Sequence, residues 1–78
     1  MEKSPSETLL EHLGVPRNVL TEKEAFILAL RMGFVDGQEH TVEEVARLLG
    51  SPTRQIRSLE EEALRKVRAY KEGNEDRP

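Results

Sequence analysis

Apolar residues in the second half of the chain recur at the spacing of α-helices. Residues at positions i, i+3, i+4 and i+7 lie on one face of a helix, so a series with this spacing predicts a helix with one buried stripe. The apolar positions are Val45, Leu48 and Leu49 in a first series and Ile56, Leu59, Ala63, Leu64 and Val67 in a second. Only a Gly-Ser-Pro break at residues 50–52 separates the two series, which predicts a helix-turn-helix.

Capping signals indicate where these two helices begin. Thr41 is followed three residues later by Glu44, the spacing of a capping box, in which each side chain accepts a hydrogen bond from the other residue's backbone N–H. Ser51 is a favourable N-cap, and Pro52 suits the first helical position because an N–H there would lack a helical partner. We therefore expect the third helix to follow Thr41 and the fourth to follow Ser51.

Two more helices are predicted in the first half of the chain. The earlier one follows Ser6 and ends before Gly14, since glycine often closes a helix in the left-handed conformation. Its apolar residues are Leu9, Leu10 and Leu13. The later helix opens on a second capping box, Thr21 with Glu24, and ends before Gly33.

The second helix carries more apolar residues than one buried face can hold. The face expected to be buried consists of Ala25, Leu28 and Met32, with Ile27 or Phe26 beside them. At about 100° per residue, Phe26, Ile27, Leu28, Leu30 and Met32 cannot all point inward. Some of them should be exposed unless the first helix or a partner covers them.

These patterns predict an all-α fold, a small bundle of about four helices that contains the helix-turn-helix. The chain of 78 residues has no cysteine and few aromatic residues, and alternating strand patterns are missing, so helix packing has to supply its small core. We divide it into an N-terminal helix and linker at residues 1–20, a helix-turn-helix domain at residues 21–71 and a flexible acidic tail at residues 72–78.

Charge changes the picture locally more than globally. The net charge is −3, yet residues 54–71 hold six basic and three acidic side chains. Residues 1–40 hold four basic and seven acidic side chains. No apolar run approaches the roughly 18 residues of a membrane span, and the first residues lack the features of a signal peptide. The sequence predicts a cytoplasmic protein with one basic helix and no membrane segment.

The outer face of the fourth helix has two interpretations. With the apolar stripe turned inward, Arg54, Gln55, Arg57 and Ser58 lie near the start of the helix on its outer side, where a helix-turn-helix contacts base edges. Arginine suits guanine and glutamine suits adenine. The alternative is a solvated face with ion pairs four residues apart.

The acidic residues of this helix fit those two interpretations differently. In a solvated face, Glu61 would pair with Arg65 and Glu62 with Lys66. Glu60 lies next to the apolar stripe instead. We expect it to form a structural ion pair with Arg31 or Arg47.

Residues 20–68 resemble the C-terminal domain, called region 4, of primary bacterial sigma factors. The resemblance rests on the motifs LTxKEA, LxxRxG, TVEEVA, LG and IRxLExxALRKVR at residues 20–25, 28–33, 41–46, 49–50 and 56–68. It implies a domain that binds the minus-35 promoter element in the major groove and docks on the flap of the RNA polymerase β subunit. An anti-sigma or activator protein is a further partner that the resemblance allows.

The resemblance also assigns individual residues. It places Lys23, Arg31 and Arg57 at phosphate-contacting positions, together with the Thr41-Val42-Glu43 start of the third helix. Base-reading positions differ from the family pattern, because Pro52-Thr53-Arg54-Gln55 stands for Ser/Thr-Arg-Glu-Arg and Ser58 stands for Gln. The flap would insert between the first two helices and contact Phe26, Ile27 and Leu30. An intact fold with an altered sequence preference is the expectation.

Other chemistry has little support. His12 and His40 are far apart and lie beside acidic residues that suit solvated positions, so neither a metal site nor a catalytic pair is indicated. No phosphate-binding glycine loop is present, and we expect no cofactor and no enzymatic activity. Two functions remain open: a transcription-initiation DNA-binding domain, within a larger sigma factor or alone, and a protein-interaction module of the same fold without useful DNA affinity.

Overall fold

Four helices account for most of residues 2–75, the part of the chain that the computed structural model describes. Helix α1 spans Pro5–Leu13, α2 Glu22–Arg31, α3 Val42–Leu49 and α4 Thr53–Glu75, and a short 3-10 turn at Arg17–Val19 precedes α2. No strand occurs within the described range. The predicted all-α bundle with a helix-turn-helix is confirmed. No helix in residues 2–75 combines the length and the apolar character that crossing a membrane requires.

Capping boxes start the first three helices. The side chains of Ser4, Thr21 and Thr41 each accept a hydrogen bond from the backbone N–H of a glutamate three residues later, and that glutamate accepts one in return. Two of these boxes are the predicted ones. The cap of α1 is Ser4, two residues before the expected start at Ser6, because Glu7 stands at the right distance to complete the box.

A single glycine turn separates α3 from α4. Gly50 adopts the left-handed conformation, with φ of 65°, and the N–H of Ser51 donates to the carbonyl of Ala46 at 3.0 Å. Helix α4 begins at Thr53, one residue later than predicted. The carbonyl of Pro52 accepts hydrogen bonds from the N–H groups of Gln55 and Ile56, so Pro52 itself takes the capping position.

Helix α2 lies at the centre of the bundle and buries side chains in two directions. Toward α1 and the middle of α4 it contributes Ala25, Leu28 and Ala29, which pack with Leu9 and Leu10. Toward α3 and the start of α4 it contributes Ile27 and Leu30, which pack with Val42, Val45, Ala46 and Ile56. The apolar surplus of α2 is therefore buried against three neighbouring helices, α1, α3 and α4, and each fully buried aliphatic side chain contributes about 1.5–3 kcal/mol.

Three residues expected in the core are exposed. Met32 follows the last turn of α2, and Leu48 and Leu64 have 60% and 45% of their surface exposed. The buried stripe of α3 is Val42, Val45 and Ala46 with Leu49 partly covered, which places Leu48 about 100° away. The stripe of α4 is centred on Ile56, Ala63 and Val67, and it leaves Leu64 at its edge.

The far end of α4 extends beyond its apolar stripe. The helix continues to Glu75, into the segment predicted as an acidic tail, and residues 71–73 are exposed. Residues 76–78 of that tail lie outside the described residues. The boundaries at residues 20 and 71 stay predictions, and α1 shares one core cluster with α2 and α4.

Candidate nucleic-acid interface

The first two turns of α4 present polar side chains around one buried anchor. Ile56 is fully buried, and Arg54, Gln55, Arg57 and Ser58 on either side of it are exposed. Thr53, at the first position of the helix, is half-buried. The surface of this helix start therefore offers guanidinium and amide donors of the kind that recognise base edges in the major groove.

An ion pair links this surface to α3. A guanidinium nitrogen of Arg57, Nη2, lies 3.5 Å from Oε2 of Glu43, and both side chains are exposed. Exposed pairs of this kind contribute little to stability, on the order of 0–1 kcal/mol. The contact therefore leaves Arg57 available to an anion and brings the start of α3 beside the second turn of α4.

The predicted contact residues at the start of α3 differ in accessibility. Thr41 and Glu43 are exposed, whereas Val42 is buried against Ile27 and Leu30. The side chain of Val42 is therefore a core side chain, because the first apolar position of the α3 stripe faces α2. Val42 can offer DNA only its backbone N–H at the start of the helix.

The two predicted phosphate-contacting cations of α2 have different surroundings. Lys23 is exposed and lines a cleft with Phe26 and the start of α1. Arg31 is tied into the fold, because its Nε donates to Oε2 of Glu60 at 2.9 Å and its Nη1 donates to the carbonyl of His40 at 2.7 Å. The interpretation of Glu60 as a structural partner is confirmed, with Arg31 as the cation.

The other ion pairs of α4 differ from those that the solvated-face alternative would contain. Arg65 pairs with Glu62, one turn back, and not with Glu61. Lys66 reaches across to α2, where its Nζ donates to both carboxylate oxygens of Glu24 at 3.0 Å. The Glu62–Lys66 pair that the solvated-face alternative would contain does not form, because Lys66 is engaged with Glu24 of α2.

Among the described residues, Glu24 is the one polar residue that is buried, with 3% of its surface exposed. Burial disfavours its charged form, but hydrogen bonds from the backbone of Thr21 and from Lys66 outweigh burial and lower the pKa of Glu24 below its ordinary value. The capping glutamate of α2 is thus also the anchor of a cross-helix ion pair.

His40 makes side-chain contacts that the sequence interpretation did not predict. Its side chain is 14% exposed, its Nε2 lies 3.0 and 2.9 Å from the two oxygens of Asp36, and its Nδ1 lies 3.3 Å from Oε1 of Glu44. The hydrogen bond to Asp36 outweighs burial, so the pKa of His40 is raised. The prediction of a solvated His40 is wrong, because the loop before α3 folds so that Asp36 and Glu44 each meet one ring nitrogen; helical spacing could not show this, since residues 36–41 are not helical.

The second histidine is exposed, as expected. His12 lies with its ring centroid 5.2 Å from that of Phe34, and both line an open cleft of about 580 Å³ that also contains His40 and Arg31. In residues 2–75, no group of three or more His, Cys, Asp or Glu side chains is placed to hold a metal ion.

The three predicted partner-binding residues do not form one exposed surface. Ile27 and Leu30 are buried under the helix-turn-helix, whereas Phe26 is half-buried: it packs against the edge of the same cluster and also lines a cleft with the start of α1. Ile27 lies about 100° from Leu28 around the helix and Leu30 about 160°, on the same side, so both side chains turn toward α3 and Ile56 and away from α1.

Comparison with known proteins identifies the family. The family model described as Sigma-70, region 4, matches residues 18–69. The RNA polymerase sigma factors SigA of Listeria monocytogenes and Listeria innocua are each 44% identical to the chain over 62 residues, which are 80% of this chain and 17% of theirs. SigA of a Bacillus species matches equally, over 16% of its length. The chain spans about a sixth of the length of these curated relatives.

Proposed function

This chain belongs to the sigma-70 region 4 family, and on that premise we propose that it binds promoter DNA at the minus-35 element and docks on RNA polymerase during transcription initiation. The observation that supports DNA binding most directly is the exposed start of α4, where Arg54, Gln55, Arg57 and Ser58 surround the buried Ile56. This function would be carried out in the bacterial cytoplasm. It consists of binding to DNA and to polymerase and includes no enzymatic step.

Base recognition is assigned to the first turns of α4. Arg54 and Gln55 are both exposed and stand where the family pattern has other side chains, so the domain prefers a minus-35 sequence different from the family consensus. Thr53 and Ser58 add hydroxyl groups that can bond to a base or a phosphate. The single guanidinium fork near the helix start, Arg54, favours guanine at one base pair.

Phosphate contacts are assigned to residues on three helices. Lys23 on α2 and Arg57 on α4 supply exposed cations, and Arg31 supplies a guanidinium that is already oriented by Glu60. The start of α3, from Thr41 to Glu43, supplies backbone N–H groups at the positive end of a helix dipole. Three or four phosphate contacts give modest, salt-sensitive binding for an isolated domain.

Docking on the polymerase β flap is assigned to the side of α2 that faces the start of α1. Phe26 is half-buried there, in a cleft that also contains Lys23, Pro5 and Glu22. An apolar flap segment can cover Phe26 without opening the core. Ile27 and Leu30 are buried against the helix-turn-helix, so they contribute to the packing of α2 and do not contact the flap directly. An anti-sigma or activator protein would bind the same exposed side of α2.

The alternative is an interaction module that binds polymerase or a regulator and has no useful DNA affinity. The exposed acids Glu43 and Glu61 beside the arginines support it. Titration with a duplex carrying a minus-35 element, at low and moderate salt, separates the two. Salt-dependent binding supports the proposal, and no binding at either salt concentration overturns it in favour of the alternative.

Substitutions assign the roles of single residues. Arg54→Ala should change discrimination at one base pair by roughly 1–3 kcal/mol, whereas Lys23→Ala should weaken all duplexes alike and reduce the salt slope by about one. Equal losses on every duplex for both variants would remove the base-reading role of Arg54. Phe26→Ser should reduce capture of the β flap while the thermal unfolding curve keeps its cooperativity.

A further inference from the structure

Both ring nitrogens of His40 face carboxylates. Nε2 lies 2.9 Å from Oδ2 of Asp36, and Nδ1 lies 3.3 Å from Oε1 of Glu44. A neutral imidazole has one N–H and one lone pair, so it can donate to only one of these carboxylates and turns a lone pair toward the other. The imidazolium has two N–H groups and satisfies both. The geometry around the ring therefore fits the protonated form.

The ring shares an acceptor with the cap of α3. Oε1 of Glu44 also accepts the backbone N–H of Thr41 at 3.1 Å, and the N–H of Glu44 donates to the Thr41 hydroxyl. Meanwhile the backbone of His40 is held by α2, because its N–H donates to the carbonyl of Leu30 and its carbonyl accepts from Arg31. His40 thus connects the last turn of α2 to the first turn of α3.

Charged groups from every neighbouring element bear on this ring. The loop supplies Asp36, α3 supplies Glu44, and α2 supplies Arg31, whose guanidinium is paired with Glu60 of α4. Arg47 acts electrostatically on Glu44. Glu39 and His12 line the same cleft. The two carboxylates that contact the ring nitrogens directly favour its positive charge, whereas Arg31 meets the backbone carbonyl.

We propose that His40, as an imidazolium, is a positioning residue for the DNA-contacting start of α3: it holds the capped first turn of α3 against the end of α2, in the orientation that meets DNA. The inference rests on the proposed function. The His40 stabilisation is complete below the ordinary pKa of 6.5 and is lost as the pH rises through the raised pKa of His40. DNA affinity should therefore fall on the alkaline side of neutrality.

The first test uses the free protein and needs no DNA. Proton NMR of the ring signals follows His40 titration in the full chain, with His12→Gln to assign the two histidines and His40→Gln as the reference without the ring. A midpoint above 6.5, with chemical shifts of the Thr41 and Glu44 amides moving at the same midpoint, is expected. A midpoint at or below that value, or α3 amides that do not follow it, overturns the inference.

The second test measures binding of a labelled minus-35 duplex between about pH 6 and pH 8.5, the range in which histidine changes charge. Between these two pH values, the dissociation constant of the wild-type chain should rise by a factor roughly threefold or more larger than the factor for His40→Gln. His12→Gln should give the same pH dependence as the wild type. Asp36→Asn, an exposed change that keeps the fold, should move the midpoint to lower pH. Parallel profiles for wild type and His40→Gln overturn the inference.

The two tests also separate this inference from the function on which it rests. A wild-type chain that binds no duplex at any pH overturns the proposed function. In that case the coupled titration of the His40 ring and the α3 amides still supports a positioning role of His40 in the fold. Duplex binding whose dissociation constant does not change with pH supports the proposed function and overturns the inference about His40.

Discussion

The two ends of α2 are joined to α4 by ion pairs of opposite polarity. At its first turn α2 supplies the carboxylate of Glu24 and α4 the ammonium of Lys66; at its last turn α2 supplies the guanidinium of Arg31 and α4 the carboxylate of Glu60. From Glu24 to Arg31 the chain runs seven residues forward along α2, and their partners, Lys66 and Glu60, run six residues backward along α4. The two helices are therefore antiparallel. The polarity also suits the dipole of α2, which favours an anion at its start and a cation at its end.

The pairs differ in what surrounds them. The Glu24 side chain is almost completely buried, whereas Glu60 and Arg31 keep contact with solvent, and Arg31 also binds the carbonyl of His40. A pair with one buried carboxylate opposes any other register of the two helices, since a shift would leave that charge unpaired. The second pair is linked through Arg31 to the backbone of His40, so the last turn of α2 is joined both to α4 and to the loop that precedes α3.

Removing the cation from the buried pair should have the largest effect. Lys66→Ala leaves the Glu24 carboxylate buried without its ammonium, and we expect a loss of roughly 2–4 kcal/mol, reduced from the fully buried case because Lys66 is partly exposed. Denaturant unfolding measures it, with the exposed Lys71→Ala as the control. Combining Glu24→Gln with Lys66→Met should recover most of the loss, and a double variant as unstable as Lys66→Ala would contradict this account.

Acid should weaken the same pair in a defined direction. The pKa of Glu24 is lowered, so its contribution to stability is complete above the ordinary value of 4.5 and disappears as the pH falls through the lowered pKa. Glu24→Gln should flatten the acid limb of a plot of unfolding free energy against pH. The exposed Glu22→Gln, two residues away in the same helix turn, should keep the limb steep; equal slopes in the two variants would exclude Glu24 as its source.

The solvent-accessible pair should respond less. Glu60→Gln keeps a hydrogen-bond acceptor for Arg31 and removes the charge, so we expect a loss of about 1 kcal/mol or less in the free energy of unfolding. The effect should shrink as salt is added, because partly exposed charges are screened. A loss as large as that of Lys66→Ala would show that the two ends of α2 are equivalent.

Local signals predicted the fold well. The capping boxes at Thr21 and Thr41 and the left-handed glycines at positions 14 and 50 depend on residues within one helix turn, so sequence alone identifies them. The caps and the glycine turns are features that neighbouring residues determine before the helices pack. The angle of Glu60 beside the apolar stripe indicated a structural ion pair, but it left Arg31 and Arg47 open as the cation, because that choice depends on how α2 packs on α4.

Contacts between distant segments were harder to predict. The partner of Lys66 was expected on its own helix, and it lies 42 residues away on α2. Exposure of Leu48 and burial of Ile27 and Leu30 depend on which sides of each helix receive a neighbour, and periodicity gives a stripe without saying how many neighbours there are. For the candidate interface, the sequence indicated the exposed α4 residues but not the contacts of His40, because these depend on a fold that brings α2, the loop and α3 together.

The smallest expected effect concerns the stretch of α4 between the two ion pairs. Leu64 lies there in sequence but is 45% exposed, whereas Ala63 is fully buried in the cluster that contains Ala25 and Ala29 of α2. Small side chains at this contact let the two helices approach closely enough for the ion pairs on either side to form. Leu64→Ala should therefore cost about 1 kcal/mol or less, since only half of a leucine side chain leaves a packed environment.

Its matched partner tests the same contact in the opposite direction. Ala63→Leu adds volume where the helices touch and should cost about 1–3 kcal/mol through overpacking. It should also weaken the coupling between Glu24 and Lys66 in a double-mutant cycle, because the ion pair depends on the distance between the helices. A larger loss of unfolding free energy for Leu64→Ala than for Ala63→Leu would contradict this account. It would mean that packing of the Leu64 side chain holds α4 against its neighbours, and that the ion pairs at the ends of α2 contribute less to the register of the two helices.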